Sequence, residues 1–389
     1  MKFRYIFLSV LLMAGLLSVR AQSFDEVIAE VLLYSPRLAA DSLTSRADLL
    51  KFAAEGNLPD PEIEFDMLWG KAPDGTERRW GAGVSQSFDW PGVYAARSQA
   101  LSAARSAEEY AAVARLRAMA LEVRLALIDV VSANCRVALL REVSANVDSL
   151  LELTRRRYDR GDVTVLTLRR MEFERFSAAA ALDEALGEQD RLRADIAAMA
   201  GGTLIDTDRL IEFPAPQLLP EERYLAAANP AIDALRERVH SDLLSAKAAR
   251  LSRLPGFSVG YQHEFEEGIH FNGFKLGLTL PLLSTRHSAT EARLRAEAGE
   301  TELTSAGLTR AAQVRALHSD AVRMMRRLEA LDELFATDNY LELLRASYSG
   351  GQITAHEYLG EINDYLTLRL DRVATAASLA RVIAQLNGE

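Results

Sequence analysis

The chain has 389 residues, a formal net charge of −10, 26% charged residues and a single cysteine, Cys135. One cysteine excludes a disulfide framework within the chain, and an acidic balance makes the chain a poor candidate for nucleic-acid binding. Apart from the opening residues, no run of about 18 apolar residues occurs, so any crossing of a membrane must be made by strands.

The opening stretch carries Lys2 and Arg4, an apolar run from Ile6 to Val19, and a small-residue site at Val19-Arg20-Ala21. It is expected to be a signal peptide, residues 1–21. No cysteine directly follows the expected cleavage site, so no lipid anchor is expected there.

Proline and glycine then divide the sequence. No proline falls between 92 and 213 or after 281, and glycine is absent from 93–160 and 308–349. Both residues weaken helix interiors, so the gaps predict long helices.

The first repeat is expected over 22–200. Phe24 to Asn57 reads as helical with a break at Ser35-Pro36, and Leu-Pro-Asp-Pro at 58–61 ends it. Ile63, Phe65, Met67 and Trp69 alternate with Glu62, Glu64 and Asp66, which predicts a strand over about 62–69. A polar turn over 70–78 leads to a second strand over about 79–88. A helix follows over about 91–157, with Val113, Leu116, Ala120, Val123, Leu127, Val130, Asn134 and Val137 as a coiled-coil seam. At about 1.5 Å per residue it would be about 100 Å long. A turn at 158–164 sends a helix back from Val165 to Met199.

Residues 201–220, with Pro214, Pro216 and Pro220, read as a loose linker. The second repeat, 221–389, follows the same plan: strands over about 256–265 and 271–281, a long helix over about 284–347, a turn at 348–354 and a final helix. The turns read YDRGDVT and YSGGQIT, so both fit Tyr-x-x-Gly-x-(Val/Ile)-Thr. All three tryptophans, Trp69, Trp80 and Trp90, lie in or beside the first strand pair, where interface aromatics of a membrane barrel would sit.

The fold class is therefore mainly α with a small membrane β part, built from two tandem helix–hairpin–helix repeats. Four strands cannot close a membrane barrel, since the smallest single-chain bacterial ones have about eight. Open edges in lipid leave backbone groups unpaired. The barrel must close by assembly: a trimer gives twelve strands, and two or four copies would also satisfy the edges.

The doubled plan, the LPDPE stretch at 58–62, the SQSFDWPG stretch at 85–92 and the two turns resemble the TolC family of outer-membrane efflux proteins. The resemblance covers essentially the whole mature chain and is strongest to the heavy-metal branch. It implies a homotrimer with a 12-stranded β-barrel in outer-membrane lipid, continued by a periplasmic α-helical barrel. It also implies a passive exit duct that docks on a periplasmic adaptor (membrane fusion protein) and an inner-membrane pump of the RND type. Metal ions or small toxic compounds would be the cargo. A type I protein-secretion exit duct is the alternative within the family. A periplasmic adaptor or coiled-coil scaffold is the alternative of another class, though adaptors have one helical hairpin and this chain has two.

The turns are the candidate site. Gly161 and Gly351 suit the positive φ of a tight reversal, Thr164 and Thr354 suit helix starts, and Tyr158 and Tyr348 can cap the seam. With Val163 and Ile353, these residues are explained first by the reversal itself. Docking of the adaptor is the added reading, and it comes from the resemblance. Arg155, Arg156, Arg157 and Arg160 make the first tip basic, and the second is not. Glu357, Glu361 and Asp364, at i, i+4 and i+7, would share a helix face and could form an acidic ring in the tunnel. No catalytic constellation is visible: the six histidines are scattered, and there is no Gly-rich phosphate loop. Neither an enzyme nor a cofactor is expected. His263 and His270 flank Glu264, Glu266 and Glu267 at a predicted hairpin tip. They could hold a divalent ion, but a solvated loop accounts for them and no metal site is expected.

Overall fold

The computed structural model describes residues 24–72, 75–266, 269–281, 287–336 and 339–388, and the expected signal peptide lies outside them. In chain order the elements are α1 (Phe24–Tyr34), α2 (Pro36–Glu55), β1 (Glu62–Ala72), β2 (Gly75–Phe88), α3 (Pro91–Asp159), α4 (Val165–Met199), α5 (Glu221–Ala226), α6 (Pro230–Leu251), β3 (Gly256–Glu266), β4 (Ile269–Thr279), α7 (Ser288–Leu334), α8 (Tyr340–Ser349) and α9 (Ala355–Gly388). α3 runs unbroken for 69 residues, about 100 Å.

Compaction cuts across the two repeats. One unit gathers residues up to Arg37, Met119–Leu219 and Leu317–Gly388; the other gathers Leu38–Ala118 and Pro220–Ala316. The first unit holds most of the buried side chains. Val27, Ile28 and Val31 of α1 pack on Val123, Leu127, Val130 and Val131 of α3, with Ile196 and Ala200 closing the cluster. Ile128 turns the other way, onto Ala377, Ala380 and Ala384 of α9. The seam expected along α3 is buried at Val123, Leu127, Val130, Asn134 and Val137, all in this unit, while Val113 and Leu116 are exposed.

The 201–220 segment, expected to be loose, is pinned. The Asn134 amide donates to the carbonyls of Thr207 and Leu210, both at 2.9 Å, and accepts from the Gln189 amide at 2.6 Å. Asn134 and Gln189 are both buried, so the linker backbone satisfies polar groups that would otherwise be stranded. Cys135 lies half-buried alongside, its thiol donating to the Ile211 carbonyl, and burial pushes its pKa up.

In the second unit the four strands form one antiparallel sheet in the order β1-β2-β3-β4. β2 pairs with β3 from Arg79↔Glu266 to Phe88↔Phe257, so the sheet joins the two repeats directly. Both hairpins run further into their turns than the alternation predicted, while the last strand stops at Thr279 and not at 281. Pairing continues through Gly70↔Glu77 and Ala72↔Gly75 in one, and through Glu266↔Ile269 in the other, so most of the expected polar turns is strand. Once a ladder is established, polar residues extend it at little cost because each adds backbone hydrogen bonds.

One face of the sheet carries Ile63, Phe65, Met67, Val84, Val259, Tyr261, Phe274, Leu276 and Leu278, all exposed, with Phe274 at 85%. The other face is polar and rich in glycine. There Lys275 of β4 reaches Glu64 of β1 at 2.6 Å. Across a flat sheet these strands would lie about 14 Å apart, so the polar face is concave. A Cβ on Gly260 would meet the Val84 carbonyl at 2.7 Å, and one on Gly277 would meet Ser258 Oγ at 2.3 Å, so glycine permits that curvature. β1 and β4 each have one edge with no partner strand among the described residues.

Where a single helix is expected over 284–347, α7 ends at Leu334 and α8 begins at Tyr340, with a turn at 335–336; residues 337–338 lie outside the described residues. The sequence over 335–339 is Phe-Ala-Thr-Asp-Asn. Asn339, just before α8, is a weak helix former, which absence of glycine and proline does not reveal. Residues 282–286, the expected start, lie outside the described residues.

Candidate functional site

Both turns use the same helix stop. At the first, Gly161 takes φ 81°, its N–H meets the Tyr158 carbonyl at 2.8 Å, and Asp162 N–H meets the Arg157 carbonyl at 2.8 Å. At the second, Gly351 takes φ 73°, with Gly351 N–H on the Tyr348 carbonyl at 3.1 Å and Gln352 N–H on the Ser347 carbonyl at 2.9 Å. This is the Schellman arrangement, in which a left-handed residue lets two successive amides satisfy the last helical carbonyls. Val163 and Ile353, the next apolar residues, are half-buried.

The returning helices start differently. Thr164 caps α4, its hydroxyl accepting from Thr167 N–H at 3.3 Å. Thr354 and Glu357 form a reciprocal box: Glu357 N–H meets Thr354 Oγ1 at 3.2 Å, and Glu357 Oε2 accepts from Thr354 N–H at 2.8 Å. The Thr354 hydroxyl adds a bond to the same carboxylate at 2.9 Å. The backbone bond from Thr354, then its hydroxyl, holds the Glu357 carboxyl below its ordinary pKa.

The two tyrosines are not equivalent. Tyr158 is 40% exposed, whereas Tyr348 is 2% exposed. Tyr348 packs against Tyr358 with ring centroids 5.4 Å apart, its hydroxyl lies 3.2 Å from Thr154 Oγ1, and the Arg157 guanidinium sits over its ring at 5.5 Å. Asn146 donates to the Tyr358 hydroxyl at 3.0 Å, and burial raises the Tyr358 pKa. Val143, Val147 and Leu150 of α3 complete this core with Leu344 and Ile362. Tyr358, Thr154 and Asn146 belong to no motif, so the sequence offered no signal for them beyond helical spacing.

Glu357, Glu361 and Asp364 do share the exposed face of α9, opposite buried Tyr358, Ile362 and Tyr365. Two of the three are engaged within the chain. Glu357 serves the cap, and Glu361 accepts from the Tyr340 hydroxyl at 2.5 Å. That bond, with burial and the charge of Glu361 behind it, pushes the Tyr340 pKa up to about 12. Tyr340 stacks on Tyr365 at 5.8 Å beside the α7–α8 break.

Trp69 and Trp80 lie on the apolar face of the sheet toward the β1–β2 turn, and Trp90 lies just beyond the opposite end of β2. The eight residue steps from Trp80 to Phe88 span about 27 Å, close to the apolar band of a membrane barrel, about 25 Å. His263 and His270 are on that apolar face, while Glu264 and Glu266 are on the concave face, where both pair with Arg79. The structure thus separates the histidines from two of the carboxylates grouped with them in sequence; Glu267 lies outside the described residues.

No protein-family model matches the sequence. No curated protein matches it either. Solved structures do. The outer-membrane channel OprN superposes with a TM-score of 0.79 at 16% identity, covering 94% of this chain and 89% of that one. The CmeC outer membrane channel of Campylobacter jejuni gives 0.73 at 16%, covering 94% and 85%. The outer membrane protein VceC of Vibrio cholerae gives 0.71 at 16%, covering 94% and 96%. The chain has the TolC-like fold. The match covers 94% of this chain, so it takes in the sheet as well as the helices.

Proposed function

We propose that this protein is the outer-membrane exit duct of a tripartite efflux system. It is a homotrimer that conducts substrates passively, from a periplasmic adaptor and an inner-membrane pump to the exterior, and it performs no chemistry. The observation that carries the reading is the sheet: a large exposed apolar face, a concave polar face, and two outer strands with open edges. Lipid is the environment in which such a face is stable, and it forbids such edges unless they close on another copy. Three copies give twelve strands with the polar faces inward, wide enough for an aqueous lumen.

The helices support assembly as well. α2 buries none of its residues within one chain, and Leu166, Phe173 and Phe176 of α4 are exposed, the two phenylalanines at 75% and 76%. Packing of neighbouring copies against these surfaces would bury the apolar side chains that one chain leaves exposed. The fold shared with OprN, CmeC and VceC supports an outer-membrane location with the helices in the periplasm, and residues 1–21 serve as the export signal. The repeats divide at 22–200 and 221–389, joined by 201–220. The pump is of the RND type, and metal ions or small toxic compounds are the cargo. The two turns are the adaptor-docking tips, with Tyr158, Gly161, Val163 and Thr164 on one and Tyr348, Gly351, Ile353 and Thr354 on the other. Asp364 is the member of the acidic face with no bond to the cap or to Tyr340, and it is the residue through which that face meets passing cations.

Fractionation tests the duct. The mature protein is expected in outer membranes as a trimer that dissociates only on heating in detergent. Recovery as a soluble periplasmic monomer would overturn the reading.

A further inference from the structure

Near the β3–β4 turn, three polar side chains interrupt the apolar face of the sheet: His263, His270 and Asn272. The Tyr261 hydroxyl donates to Asn272 Oδ1 at 2.7 Å, and His263 Nδ1 lies 2.8 Å from the same oxygen. An amide oxygen only accepts, so His263 Nδ1 carries a proton, and in the neutral ring Nε2 keeps a lone pair. That lone pair meets His270 Nδ1 at 3.2 Å. The two rings stack at 5.2 Å, with Trp80 beside His263 at 5.8 Å and Phe265 beside His270 at 5.0 Å, so both imidazoles are held from the side.

We propose that His263 Nε2 and His270 Nδ1 form a two-nitrogen site for a divalent transition-metal ion of the Cu²⁺, Ni²⁺ or Zn²⁺ class. Two nitrogens bound at about 2.0–2.1 Å to a tetrahedral ion stand about 3.3 Å apart, close to the separation present without any ion. Asn272 supplies what a metal-bound histidine needs behind it: an acceptor for the other ring N–H that fixes tautomer and orientation. With both rings neutral, binding requires only that His270 move its proton from Nδ1 to Nε2, with no net proton gained or lost. Water completes the coordination, since among the described residues no group of three or more His, Cys, Asp or Glu side chains could hold a metal. Glu264 and Glu266 point to the other face and are paired with Arg79. A site with imidazole ligands and no carboxylate favours these ions over Mg²⁺ or Ca²⁺. The site is argued from the side-chain geometry of the sheet; in the duct it would lie on the lipid side, beside Trp80 at the end of the apolar band.

The test is a Cu²⁺ titration of the untagged full-length protein in detergent, read by electron paramagnetic resonance. One Cu²⁺ per chain with hyperfine coupling to two imidazole nitrogens is expected, without competition from Mg²⁺. His263→Ala and His270→Ala should each weaken binding at least about tenfold, Asn272→Leu by about tenfold, and His240→Ala not at all. A wild-type spectrum without two-nitrogen coupling would overturn the proposal. So would a H263A/H270A variant that binds Cu²⁺ with unchanged stoichiometry and affinity.

Discussion

At the first turn Tyr158 stands 40% exposed, while at the second its counterpart Tyr348 is 2% exposed and wedged among Thr154, Arg157 and Tyr358. The backbones around them are the same, down to the two amides that close each helix. A repeated motif therefore fixes the path of the chain without fixing the work of its side chains. The second turn is built into the core of its own chain. The first leaves its tyrosine free for something outside it.

Replacing the tyrosines breaks this comparison most directly. Tyr348→Ala should cost about 3–5 kcal/mol, the usual range for removing a buried aromatic. Tyr158→Ala should change the stability of one chain by no more than about 0.5 kcal/mol. Thermal unfolding of the two variants in detergent checks the difference. An equal loss from Tyr158→Ala would mean that assembly or a partner covers Tyr158, and would make the two turns alike after all.

The glycines probe what the turns share. Nothing lies within 4 Å of a Cβ added at Gly161 or Gly351, so alanine there costs only backbone strain. For a left-handed residue that is about 1–2 kcal/mol, and it should be the same at both positions. Unequal losses in urea unfolding would show that one reversal is held by more than its own backbone. Bulky residues at both positions test docking: if adaptor assembly and efflux survive them, the tips are not the docking surface.

The path of the chain was legible because glycine, proline and alternation are local signals. Gly161 and Gly351 announce a positive φ, and Ile63 to Trp69 announces a two-sided strand. The end of α7 at Leu334 was not, since neither glycine nor proline marks it. The pinned linker was illegible for another reason: Asn134 meets Thr207 and Leu210 more than seventy residues away, and no spacing rule reports that. At the candidate site the motif residues were legible, but Thr154, Asn146 and Tyr358, which decide the fate of Tyr348, were not. Likewise Glu361 looked free in sequence because Tyr340 lies on another helix.

The smallest effect separates the two helix starts. Glu357 closes the cap at the second turn, while the equivalent position at the first is Thr167, which has no carboxylate. Hydrogen bonds from Thr354 lower the folded-state pKa of Glu357 below its ordinary 4.5. A group with a lowered pKa adds stability above its unfolded value and loses it as pH falls through the folded value. The second turn should therefore loosen on acidification below about pH 4.5, where the first holds. Hydrogen exchange at Thr354 and Thr164, corrected for intrinsic rates, measures both in one sample. Glu357→Gln keeps an acceptor at neutral pH and should remove the acid dependence. If protection at Thr354 stays flat into acid, or if the glutamine variant keeps the same dependence, the cap is not what distinguishes the two starts.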